Sequence, residues 1–198
     1  MKIVLSPSKT KTITTVDNDG AVHTAVQDGQ FQPHITQDIV KHVQSLDVAA
    51  LGKALKLKDD KAQALFDFYQ DFASHPVGLA CESYDGIAFK YLDWQNLSDE
   101  AKAFGESHLV VMSALYGVVE PMMGVRDYRL DMVDKVGINL YDTWRETVDA
   151  YFHKEDWILN LASKEYAKMV NHPKVVTVEF WELRGDTFKQ MSTSSKMS

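Results

Sequence analysis

Apolar residues change their spacing repeatedly along the chain, and each change predicts an element. Lys2–Leu5 reads as a first short strand, closed by the loop Ser6-Pro7-Ser8-Lys9-Thr10. Ile13–Val16 and Val22–Val26 flank Asn18-Asp19-Gly20, a hairpin signal. Ile35, Ile39, Val43 and Leu46 then recur at helical spacing, with Thr36 placed as an N-cap. A second helix is expected over Asp47–Leu55, weakened by Gly52. Asp59 would cap a third, whose Ala62, Leu65, Phe66, Tyr69 and Phe72 share one face before His75-Pro76 stops it.

Val77–Cys81 reads as a strand and Tyr84-Asp85-Gly86-Ile87 as a turn. Ser98 caps a polar helix reaching Glu106. Leu109–Met112 is a buried strand that runs into Ser113-Ala114-Leu115-Tyr116-Gly117. Pro121 and Gly124 punctuate a turn. If Tyr128–Met132 is extended, Arg129 and Asp131 share a face. Leu140, Trp144, Val148 and Tyr151 mark a helix, Trp157–Leu161 a strand and Lys164–Val170 a further helix. Lys174–Trp181 and Thr187–Met191 would close as a hairpin across Arg184-Gly185-Asp186. No repeat or linker interrupts the pattern. The expectation is an α+β fold, one domain over residues 1–198, with a mixed sheet flanked by helices. After Met191 the chain carries only Ser192–Ser198, expected to be a disordered tail or the mark of a missing C-terminal segment.

Composition narrows the function classes. A net charge of −7 excludes a global field drawing the protein onto nucleic acid, so phosphate binding would need local clustering. A single cysteine, Cys81, excludes a disulfide framework or a sulfur-rich metal site. The opening apolar run is too short for a signal peptide, and no run has membrane length. A reduced, cytoplasmic setting away from membranes is expected. The seven histidines are scattered, none at a metal-binding spacing. P-loop, dinucleotide fingerprint and nucleophile elbow are all missing, so no metal or cofactor is expected.

Three strands empty into similar chemistry. The loops beginning at Ser6, Ser113 and Ala162-Ser163 each carry hydroxyls, with Lys9, Tyr116, or Lys164, Glu165 and Tyr166 close behind. Parallel neighbours would bring these loops to one sheet edge, where open sheets bind ligands. Arg126 and Arg129 would add guanidinium forks for an anion. The plainer alternative makes Ser6 and Ser163 caps, Lys9 and Lys164 solvated, and Arg129–Asp131 an internal brace. A second basic patch, Lys53, Lys56, Lys58 and Lys61, surrounds a helix joint that could offer hairpin contacts to DNA phosphates. The glycine pair of such hairpins is missing and Asp59-Asp60 opposes phosphate, which favours a solvated helix pair. Two function classes follow: a protein binding double-stranded DNA or another phosphate-bearing ligand through the cleft the three loops form, or an enzyme on a phosphorylated metabolite at the same cleft. In the second, Lys9 and Arg129 clamp phosphate while Tyr116 or Glu165 moves a proton. Direct iron storage is disfavoured, because no paired-carboxylate and histidine set occurs.

Six segments occur in order: L-S-P-S-K-T (5–10), Y-D-G-I-A-F-K-Y-L (84–92), H-L-V-V-M-S-A-L-Y-G-V-V-E-P (108–121), Y-R-L-D-M (128–132), N-L-Y-D-T-W (139–144) and L-N-L-A-S-K-E-Y (159–166). Together they resemble the YaaA family of bacterial peroxide-stress response proteins. The resemblance implies a part in limiting unincorporated iron under hydrogen peroxide. It also implies a mixed fold with a helix-hairpin-helix-like element, here at 47–74, and a positively charged cleft implicated in DNA binding. By position the cleft would hold Ser6, Lys9, Tyr116, Gly117, Tyr128, Arg129, Asp131, Ser163, Glu165 and Tyr166. The sequence departs from the family pattern in Glu120, where arginine is usual, in Met123 and Asp127, and in a longer stretch at 17–30. The family pattern also continues beyond the last expected hairpin.

Overall fold

The computed structural model describes residues 1–13 and 31–191. The expected hairpin around Asn18-Asp19-Gly20 and the 192–198 tail lie outside the described residues. Strand β1 (Lys2–Leu5) is followed by helices α1 (Pro33–Gln44), α2 (Val48–Leu55) and α3 (Asp59–Gln70). Next come the short β2 (Gly78–Leu79), α4 (Ala80–Ser83), α5 (Ile87–Leu92) and α6 (Asp99–His108). Strands β3 (Leu109–Ser113), β4 (Gly117–Val119) and β5 (Gly124–Val125) lead to α7 (Leu140–Phe152). The chain finishes with β6 (Ile158–Asn160), α8 (Lys164–Ala167), β7 (Val175–Thr177), β8 (Phe180–Arg184) and β9 (Thr187–Met191).

The main sheet has the order β4-β3-β1-β6-β7. β1 runs parallel to both β3 and β6, β6 runs parallel to β7, and β4 alone is antiparallel. A mixed sheet flanked by helices is thus the architecture. β3 is buried along its whole length, as its unbroken apolar run requires. Ile39 and Val43 of α1, Leu51 of α2, Tyr69 of α3, and Trp144, Val148 and Phe152 of α7 complete the core.

Several boundaries differ from the sequence reading. α1 is entered from Gln32 with Pro33 in its first turn, and Thr36 lies inside it, donating to the Leu115 carbonyl at 3.1 Å. A tertiary acceptor therefore claims the hydroxyl expected as a cap. Lys58 precedes α3, so Asp59 and Asp60 occupy the first turn, where carboxylates oppose the helix dipole favourably. Ser98 caps as read, accepting from Ala101 N–H, whereas Asp47, read as the first residue of the second helix, is its cap and accepts from Ala50 N–H. The strand expected at Val77–Cys81 shrinks to β2, because Ala80 and Cys81 donate to the Met123 and Pro121 carbonyls and the chain turns into α4. The last hairpin is β8–β9 alone, turning at Gly185-Asp186. β7 leaves it to become the edge strand beside β6, pairing in parallel as Ile158–Val175, Leu159–Val176 and Asn160–Thr177.

Candidate functional site

Parallel β1, β3 and β6 release their following loops at one edge of the sheet. Two of those loops touch there. The Ser6 hydroxyl accepts the Ser163 N–H at 2.8 Å and donates to the Ser163 hydroxyl at 3.1 Å. The third loop folds inward instead. Ser113 Oγ accepts the Leu115 and Tyr116 N–H groups and shares a 2.7 Å hydrogen bond with the Tyr128 hydroxyl. Tyr116 is therefore core, its own hydroxyl accepting from Arg126 N–H at 3.2 Å. Gly117 also lies inside. It holds a left-handed φ of 73° and is pressed against the Trp144 indole, which only a residue without Cβ permits.

The open space at this edge is a half-enclosed cavity of about 330 Å³ lined by Ser6, Lys9, Asp131, Ser163, Glu165 and Tyr166 among others. Lys9 pairs with Asp131 at 2.9 Å, so in place of the alternative Arg129–Asp131 brace an ion pair joins loops far apart in sequence. The hydrogen bond to Asp131, then its charge, raises the Lys9 pKa. Tyr166 donates to the other Asp131 oxygen at 3.0 Å. Asp134 Oδ2 accepts the Asp131 N–H at 2.8 Å, and burial pushes the Asp134 carboxyl above its ordinary range. Glu165 accepts the Val133 N–H at 3.3 Å, and its carboxyl is likewise raised, by burial first and by Asp131 second. The cavity also has apolar lining, from Leu5, Pro7 and Ile87-Ala88-Phe89 at the start of α5. A Cβ on Gly86 would lie 3.0 Å from Ser8 Oγ, so this close approach of the first loop to α5 depends on glycine.

The remaining expected residues scatter. Arg129 is half-buried, its carbonyl accepting from the Tyr69 hydroxyl, and its charge acts on both Lys9 and Asp134. Arg126 points elsewhere, donating to the Ala73 and His75 carbonyls and covering the Phe72 ring. Tyr128 is buried, with its pKa pushed up to about 12 by burial. Lys164 is exposed at the start of α8. Lys53, Lys56, Lys58 and Lys61 are all exposed around the joint between α2 and α3, where Lys56 takes a left-handed backbone. Cys81 is buried and its thiol is pushed up to about 12, which makes it inert.

Sequence reasoning missed Lys11 and Asp134. Lys11 is buried, yet nothing in Thr10-Lys11-Thr12 marks an inward side chain. Its amine donates to the Tyr128 carbonyl and lies over the Tyr128 and Tyr84 rings. Among the described residues no three His, Cys, Asp or Glu side chains are grouped to hold a metal ion. Among the same residues no helix is long and apolar enough to cross a membrane.

A UPF0246 protein of Finegoldia magna is 32% identical over 204 residues, covering all of this chain and 80% of that protein. A UPF0246 protein of Agathobacter rectalis is 32% identical over 212 residues, covering all of this chain and 82% of its own length. One from Rickettsia bellii is 29% identical, covering 83% of this chain and 71% of that protein. Residues 1–198 match the family described as Peroxide stress protein YaaA, and the chain belongs to that family.

Proposed function

We propose that this peroxide-stress protein binds double-stranded DNA, with the lysines around the α2–α3 joint contacting the phosphate backbone and Arg129 adding charge nearer the cleft. Limiting unincorporated iron belongs to the same proposal, as an outcome of that binding. The observation that carries it is the set Lys53, Lys56, Lys58 and Lys61, all exposed and none in an ion pair with another described residue. In a chain of net charge −7, such a cluster is a local electrostatic footprint. Titration of a duplex across a salt series tests the reading. Replacing all four lysines by alanine should weaken binding and lower the log–log salt slope by about 0.9 for each phosphate no longer neutralised. Unchanged affinity and slope would overturn it.

A second reading has an observation of its own. The cleft is a half-enclosed cavity, and it sets a Lys9–Asp131 pair beside carboxyls held above their ordinary range. Perturbed carboxyls in a cavity of this size suit acid–base work on a small molecule. Turnover lost in Glu165→Gln with binding retained would support it.

A further inference from the structure

Deepening that second reading, and resting on it, the character of the cleft wall restricts what can enter. Asp131 and Glu165 line the cavity with Lys9 as their cation, while Asp134 and Arg129 stand behind. Lys9 pairs with Asp131 at 2.9 Å, so its charge is offset by one of the two lining carboxylates. Carboxylates therefore outnumber cations, and a phosphate dianion would meet like charge. Carboxylates are acceptors only, so they ask for donors, and each can take about four. Glu165 meets the backbone N–H groups of Val133 and Met132, which leaves it room to accept more. Ser163 adds a hydroxyl able to donate, because its own oxygen already accepts from Ser6. Pro7, Ile87, Ala88 and Phe89 add apolar lining to the same cavity, and Ile87 is left 44% exposed there.

We propose that this cleft binds a ribonucleoside without its phosphate. The ribose diol would meet the Glu165 carboxylate and Ser163 hydroxyl, and the base would cover Pro7 and Ile87. A carboxylate just beyond a parallel strand end is the group that takes ribose hydroxyls in other open α/β sheets. Glu165 lies beyond β6, in the first turn of α8. A planar base supplies the apolar face that would cover Ile87, and about 330 Å³ lies in the range of small-ligand sites.

Calorimetric titration of the full chain with adenosine, 2′-deoxyadenosine, D-ribose, adenosine 5′-monophosphate and inorganic phosphate tests this. Adenosine should bind, and loss of the 2′-hydroxyl should weaken it at least tenfold. Glu165→Ala and the wall variant Ile87→Asp should each do the same while retaining the wild-type melting temperature. Ile87 is exposed, so its variant keeps the test open if Glu165→Ala fails to fold. Ribose alone binding as well as adenosine, or phosphate or the monophosphate binding tighter than adenosine, would overturn the nucleoside assignment and leave the cleft a binding site. Silence from all five ligands would overturn the nucleoside assignment and leave the small-molecule reading to its own Glu165→Gln test. Neither result bears on the lysine joint, which the duplex titration addresses separately.

Discussion

The amine of Lys11 donates to the Tyr128 carbonyl at 2.7 Å and sits 4.0 Å from the centre of that residue's ring. One side chain thus ties the first loop to the segment carrying Arg129 and Asp131. Burial lowers the Lys11 pKa from 10.5 to about 8, opposed by the charges of Asp127 and Asp131. Between those two values the unfolded chain binds a proton that the folded one does not. This group's contribution therefore makes stability rise with pH from about 8 to 10.5. Below that window the folded state carries the full cost of a buried ammonium. Thermal unfolding of wild type and Lys11→Met across this range should show a difference that narrows or reverses in favour of wild type as pH rises. A constant difference would mean that Lys11 titrates as if exposed.

Ser6→Ala should destabilise the protein by about 1–2 kcal/mol, since it strands the part-buried Ser163 N–H. Urea unfolding measures this. Ser163→Ala should cost less, because the backbone N–H that Ser6 accepts remains.

At Gly117 the expected change is larger. Alanine there must hold φ at +73° with its Cβ 2.6 Å from the Trp144 indole. Overpacking and a forbidden backbone together should cost about 3 kcal/mol or more. An unfolding midpoint equal to wild type would mean that the indole can yield, despite its 2.9 Å hydrogen bond to the Ala114 carbonyl.

Asp134 offers a carboxylate test of the opposite sign to an ordinary ion pair. Burial raises its pKa, so the unfolded chain ionises first. Stability from this group falls as pH rises from its ordinary value through the raised one. Asp134→Asn keeps an acceptor for the Asp131 N–H and should flatten that fall. Melting temperatures across the acidic range decide, and an unchanged profile would place Asp134 in solvent.

These residues also mark how far the sequence can be read. Ser6 and Ser163 are recognisable as a pair because each follows an apolar run, and parallel strands must deliver such positions to one edge. Trp144 and Val148 are recognisable as core through helical spacing, although the fully buried neighbour at the helix end is Phe152 and Tyr151 is half-buried. Tyr116 has the same sequence context as Ser6 and goes the other way, because Ser113 captures its backbone and turns the loop inward. That choice depends on Tyr128, which local spacing does not connect to it. The wall from Ile87 to Phe89 is hidden behind a turn signal, since α5 is too short to display a stripe and has Ile87 and Tyr91 exposed. β7 reads as part of the last hairpin because alternation describes a strand without naming its partner.

The place of β1 has a consequence for how the protein is made. Of the described elements it is synthesised first, yet it lies in the middle of the sheet, where Ile3 pairs with both Leu109 and Leu159. Until β3 emerges from the ribosome, Ile3-Val4-Leu5 has no neighbour in its own sheet, and one side stays open until β6 follows. Such wiring gives a high contact order and slow closure. During that wait the segment is an unpaired apolar strand of the kind that chaperones hold and aggregates recruit. A protein deployed against sudden peroxide would thus complete its central ladder only once β6 has been translated.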